Sequence, residues 1–267
     1  SSKGFREIVD LLLKHGADIN ARDIAEKTAL LRASQNGHLL TVEMLLLKGA
    51  NLHFNAFDLD GEGGTALIQA ARNGHNDVLQ KLLIDGAEIN TTELMFHHSA
   101  LMAAALNGHL KSVKLLLNTG ADPMLKDTSK RTALLLAATN NHFSVIKHLL
   151  NVKQNGRQRD SNGNGIWHLF AMSDGQKNTV EEPAEIAKKD EENYNLMKEL
   201  ISQGVSLDSI NGDGETALMI AVKRENLKLV KILLRLGAST DITTPGGENA
   251  FSLAEASGNI DVLKLLR

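Results

Sequence analysis

Apolar residues recur along this chain in short blocks that read as pairs of helices. In the cleanest copy, Thr65-Ala66-Leu67 opens a first apolar run of about two turns, and Asn73-Gly74-His75 interrupts it. A second run follows with Val78, Leu79, Leu82 and Leu83 at helical spacing, and Asp85-Gly86-Ala87 closes it. The openers are Thr28, Thr65, Ser99, Thr132, Gly165, Thr216 and Asn249, spaced 37, 34, 33, 33, 51 and 33 residues apart. All are residue types that favour a helix N-cap. The closing glycines are Gly16, Gly49, Gly86, Gly120, Gly204 and Gly237. Glycine suits these stops, and the Asn-Gly steps, because it tolerates the left-handed conformation that ends a helix. Segments between copies, such as Asn211-Gly212-Asp213-Gly214, have the composition of hairpin-like turns. A fixed period of this length predicts stacked units, each buried against its neighbours.

This grammar resembles the ankyrin repeat, and the resemblance covers essentially the whole chain. It implies an all-α repeat fold, a solenoid of helix-turn-helix units with projecting β-turn fingers. The family's Thr-Pro-Leu-His appears here as Thr-Ala-Leu followed by Leu31, Ile68, Leu135 or Met219, and only His168 holds the family's histidine position. The chain reads as a single domain, 1–267. It comprises a half repeat (1–23), repeats at about 24–60, 61–94, 95–127, 128–160, 161–211 and 212–244, and a last copy at 245–267. The pattern starts before a second helix, since Lys3-Gly4-Phe5 aligns with Asn36-Gly37-His38, and stops at Leu265-Leu266-Arg267 before the expected Gly-Ala. The expectation is therefore a segment of a larger protein. At its start, a stripe of Ile8, Val9, Leu12 and Leu13 lacks a partner.

The fifth full copy departs most. It carries 18 extra residues between its helices, and Lys153 stands where a closing glycine is expected before it. The helix end at Lys153 is expected to fray or end differently. The insertion, about Ser173 to Asn193, contains Pro183 at a plausible helix start. Uninterrupted pattern to Gln203 predicts an extended second helix. The insertion is either a tolerated loop or a specificity element. As a loop it is the predicted first site of proteolysis, between Ser173 and Glu192.

A net charge of −3 argues against a general nucleic-acid binder, and the longest apolar stretch, Ala100 to Leu106, is too short to span a bilayer. The lack of cysteine rules out disulfides and thiol catalysis, and fits a cytoplasmic setting, or a host cytosol for a secreted effector. Abundant asparagine with scarce proline and aromatics resembles ankyrin proteins of intracellular bacteria or protists. His38, His75, His109 and His142 share one repeat position. Neighbouring helices lie about 8–10 Å apart, too far for these histidines to share one metal, so hydrogen bonds between repeats are the expectation. His97-His98 reads as a surface finger. No cofactor, metal or catalytic constellation is implied, so the chain is not expected to be an enzyme.

The expected function is binding of another protein or peptide, including an acidic one, by a monomer unless its uncapped ends associate. The alternative is a regulatory or targeting segment of a larger enzyme, effector or channel. Ankyrin-like stacks bind through finger tips and exposed first helices. The candidate contacts are Phe57, Leu59, Leu94, Met95 and Phe96 on two neighbouring fingers, with Ala103, Leu106 and Leu136 continuing an apolar track. Phe54 and Leu94 either join this surface or tuck into the finger base. Arg72 and Arg131 stand at the rim, with Arg32, Lys126, Lys130, Arg157 and Arg159 further along the flanks.

Overall fold

The seven openers all become helix N-caps. In the computed structural model, which describes residues 2–57, 63–152, 156–173 and 183–267 (backbone only for 2–6 and 183–190), Thr28, Thr65, Ser99 and Thr216 each accept a hydrogen bond from the backbone N–H three residues on. Asn249 does the same through its side-chain oxygen, from Ser252. The described helices are α1 (Ser2–Lys14), α2 (Ala29–Gln35), α3 (Leu39–Leu47), α4 (Ala66–Arg72), α5 (Asn76–Ile84), α6 (Ala100–Leu106), α7 (Leu110–Asn118), α8 (Ala133–Thr139), α9 (Phe143–Asn151), α10 (Ile166–Met172), α11 (Pro183–Ser202), α12 (Ala217–Lys223), α13 (Leu227–Arg235), α14 (Ala250–Ser257) and α15 (Ile260–Leu266). They form two units, Ser1–Thr128 and Ser129–Arg267.

Seven-residue first helices are too short to be stable alone, and burial holds them. In the first unit α4 packs against both α2 and α6, and Ala66 through Ala71 are all buried. Second helices bury one face only, as with Val78, Leu79 and Leu82 of α5. The Asn of each Asn-Gly step has a role of its own. Asn36, Asn73 and Asn107 donate side-chain N–H groups to the carbonyls of Arg32, Gln69 and Ala103, four residues back, at 2.7, 2.9 and 2.9 Å. The next glycine takes a positive φ (Gly37 +70°, Gly74 +71°, Gly108 +73°).

The histidine expectation holds at two positions. His75 Nε2 lies 2.9 Å from the Gln35 carbonyl oxygen and His109 Nε2 lies 2.9 Å from that of Arg72, each one repeat back. The α1 stripe is open to solvent at Ile8 (55%) and Leu12 (55%), while Val9 and Leu13 are half-buried beside α3; Leu11, outside the stripe, is exposed as well (57%).

The second unit holds the atypical copy. Gly165 caps α10 without a side chain to accept from the N–H three residues on, and the ring of His168 bonds back to the cap instead: its Nδ1 accepts from the Gly165 N–H at 3.1 Å. Its Nε2–H is then left to donate to the Glu215 carbonyl, also at 3.1 Å. Burial of the fully enclosed ring holds its pKa below the usual histidine value. The extended helix is present as α11, 20 residues against nine in α9 and α13. Lys153 and part of the proposed cleavage segment (174–182) lie outside the described residues.

Candidate functional site

Several fingers are tight turns, each built on one polar side chain. Asp23 accepts from the N–H groups of Ala25 and Lys27, both at 2.9 Å, and Asp160 and Asn211 repeat this scheme in the second unit. The Lys27 N–H, with Arg32 and the Ala25 N–H, holds the Asp23 carboxyl below its ordinary pKa against the opposing effect of desolvation. Two residues before each of six helix caps the chain turns left-handed, at Glu26, His97, Lys130, Gly163, Gly214 and Gly247.

The finger from Thr92 to Ser99 is one residue longer than that from Arg22 to Thr28, and its anchor is correspondingly Glu93, one methylene longer than aspartate. Glu93 is buried, and its carboxylate accepts from the N–H groups of Met95, Phe96 and His98 at 2.6, 2.7 and 3.1 Å. His98 corrects the surface-finger expectation. It is 8% exposed, with Nε2 3.5 Å from a carboxylate oxygen of buried Asp127, while its neighbour His97 is exposed. The finger tip is tied on both sides. Asn55 donates to the Thr92 carbonyl at 2.9 Å, and the Thr128 N–H donates to the Phe96 carbonyl at 3.0 Å.

These bonds set the finger tips of the first unit side by side and leave apolar side chains outward. Phe57 is 50% exposed, Leu94 52% and Phe96 37%, while Met95 is half-buried. Leu94 therefore does not tuck into its finger. Phe54 is half-buried, with the Arg22 guanidinium 4.6 Å from its ring centroid. Ile24, fully exposed on the preceding finger, was not anticipated. It directly follows the anchor Asp23, as Leu94 follows Glu93, and that register was the available signal. In the second unit the residues after Asp160, Asn211 and Thr244 are Ser161, Gly212 and Pro245, so this apolar series belongs to the first unit. Met124, 49% exposed in the loop after α7, was also missed.

Three expectations change. Ala103 (1% exposed) and Leu136 (0%) are core residues, because six successive side chains of α6 and of α8 are buried and these helices present no open apolar face. Arg32 is bound to Asp23, at 2.7 Å between its Nη2 and the carboxylate. Arg159 donates to the carbonyls of Gly163 and Ile210 and so braces the fingers of its own unit. Leu106 and Arg72 are half-buried at the ends of α6 and α4. Arg131 is half-buried in the second unit, and Leu59 lies outside the described residues.

The family model for ankyrin repeats matches residues 1–93, 101–182 and 184–267. The chain belongs to the ankyrin-repeat family. The crystal structure of the human ASB11 ankyrin repeat domain is similar with a TM-score of 0.72 over 90% of this chain and 96% of that one, at 20% identity, a likeness of fold. Among curated relatives, the probable E3 ubiquitin-protein ligase XBOS32 of Oryza sativa subsp. japonica is 45% identical over 53 residues, 20% of this chain and 11% of the relative. Ankyrin repeat and KH domain-containing protein 1 of Homo sapiens is 50% identical over 50 residues, 19% and 2% respectively. The E3 ubiquitin-protein ligase XBAT32 of Arabidopsis thaliana is 31% identical over 144 residues, 45% and 28%. The ankyrin chain thus spans between 2% and 28% of the length of these three relatives. Ankyrin repeats are protein-interaction modules, and the fold is non-catalytic. Among the described residues no helix is long and apolar enough to cross a membrane.

Proposed function

We propose that this chain binds a partner protein through the finger tips of its first unit, with Ile24, Phe57, Leu94 and Phe96 as apolar anchors. The observation that carries this reading is the exposure of four large apolar side chains on the fingers, with the turns that carry Ile24, Leu94 and Phe96 built by other, polar groups. Apolar side chains gathered on a surface mark interaction sites, and aromatic anchors in particular dominate binding energy. Met95 and Leu106 extend this surface, and Arg72 supplies charge at its edge for an acidic partner. The setting is cytoplasmic, a reading supported by the lack of cysteine.

A second reading concerns the role rather than the surface. The matched relatives are far longer than their ankyrin segments, which favours a chain that positions or regulates an active domain elsewhere in a larger protein.

The test is quantitative capture. The immobilised chain and its Phe57→Ala/Leu94→Ala/Phe96→Ala variant are exposed to the same source extract, and bound proteins are quantified by mass spectrometry. The expected result is a partner retained by the unaltered chain and depleted at least tenfold on a variant that melts at a similar temperature. Equal retention by both chains would remove the finger tips as the site.

A further inference from the structure

Helix α13 has a different surface chemistry from the fingers. Its sequence, LKLVKILLR, contains no acidic residue. Leu229, Val230 and Leu233 face the core, and Lys228, Lys231 and Arg235 are all exposed. These cations fall at i, i+3 and i+7, one face of a helix. Lys198 of α11 joins them. The Arg235 guanidinium lies 4.0 Å from the centroid of the buried Tyr194 ring and the Lys198 ammonium 4.9 Å from the same centroid. One aromatic ring thus holds two like charges together. Lys198, Lys231 and Arg235 form no ion pair among the described residues. Several other surface lysines have carboxylate partners, namely Lys14 with Asp10, Lys81 with Asp85, Lys223 with Glu215 and Lys264 with Asp261, whereas the exposed Lys111 and Lys114 of α7 form neither an ion pair nor a contact with an aromatic ring among the described residues. On a chain of net charge −3, this cationic face runs against the average.

We propose that α13, with Lys198, is a second docking surface of this chain and receives a short acidic segment of a partner protein. From Lys231 to Arg235 the helix rises about 6 Å, the length of roughly two extended residues, so a short run of carboxylates matches it. A bilayer is a poorer occupant, because the apolar side chains of α13 are turned into the core and none is free to insert. A nucleic acid is poorer too. Tyr194, 6% exposed, offers no face for a base to stack on. This surface is independent of the finger tips, and the two proposals fail separately.

The test uses fluorescence anisotropy of a labelled peptide carrying five consecutive glutamates, titrated with the full chain. Binding is expected to weaken several-fold between 50 and 200 mM salt. The Lys231→Glu/Arg235→Glu variant should bind at least tenfold more weakly. Lys231→Glu alone, which leaves the Arg235–Tyr194 contact in place, should weaken binding several-fold. The control Lys111→Glu/Lys114→Glu on exposed positions of α7 makes the same charge change and should alter affinity less than twofold. Undetectable peptide binding, an equal loss in the control, or an unchanged affinity in the second variant would overturn the proposal. So would tighter binding to phosphatidylserine vesicles or to duplex DNA than to the peptide.

Discussion

Gly37 illustrates how single residues are coupled across repeats. Its φ of +70° already favours glycine, and a Cβ added there would stand 2.6 Å from Nδ1 of His75 in the next repeat. Gly74 and His109 reproduce the arrangement at 2.7 Å. The helix-ending role of these glycines was readable in the sequence, as was the bonding role of the histidines. Their mutual dependence was not, because it rests on where a ring from another repeat lies. Replacing Gly37 with alanine is expected to cost about 1–2 kcal/mol for the left-handed backbone, plus the clash with the ring. In a His75→Ala background the clash disappears, so urea unfolding of the four proteins of the cycle should show a non-additive coupling. Additive effects would refute the contact. Glu225 is the converse case, a non-glycine residue at φ +53°. Glu225→Gly should stabilise the chain by about 1 kcal/mol, read from the same unfolding curves.

At the scale of elements, two irregular copies are repaired by side chains that are atypical for their positions. The long finger uses glutamate to reach three N–H groups, and Glu93→Asp leaves at least one of them out of reach. The expected loss is about 1–3 kcal/mol for buried groups left without partners, measured by thermal or urea unfolding, with aspartate matching glutamate as the contrary result. Helix α10 relies on His168, which must be neutral to accept the Gly165 N–H at Nδ1. Because burial lowers its folded pKa, its contribution is fully present above the unfolded value of about 6.5. It is lost progressively as pH falls below 6.5 towards the folded pKa. Stability of the second unit should therefore decline on acidification in this window, and His168→Ala should be less stable throughout but flatter with pH between 7 and 5. An unchanged slope would show that another group titrates there. The sequence marked this copy as atypical through Gly165 and His168, but the repair needed the ring's geometry.

For the whole molecule, the repeat grammar was legible because every opener becomes a cap and the closing glycines take positive φ. The proposed binding surface was legible only in part. Phe57, Leu94 and Phe96 stood out as apolar residues on turn segments, and they are exposed. Ala103 and Leu136 were misplaced because a short helix packed on several sides has no face that periodicity can assign to solvent. Ile24 escaped notice because its finger lacks an aromatic residue. The most direct measurement of the central claim is hydrogen exchange of the chain with and without its captured partner. Added protection at 22–28, 54–57 and 92–98, with little change in α11 and α13 at a salt concentration that suppresses charge-driven contacts, is the predicted result. Protection confined to the second helices, with the fingers exchanging as in the free chain, would contradict it.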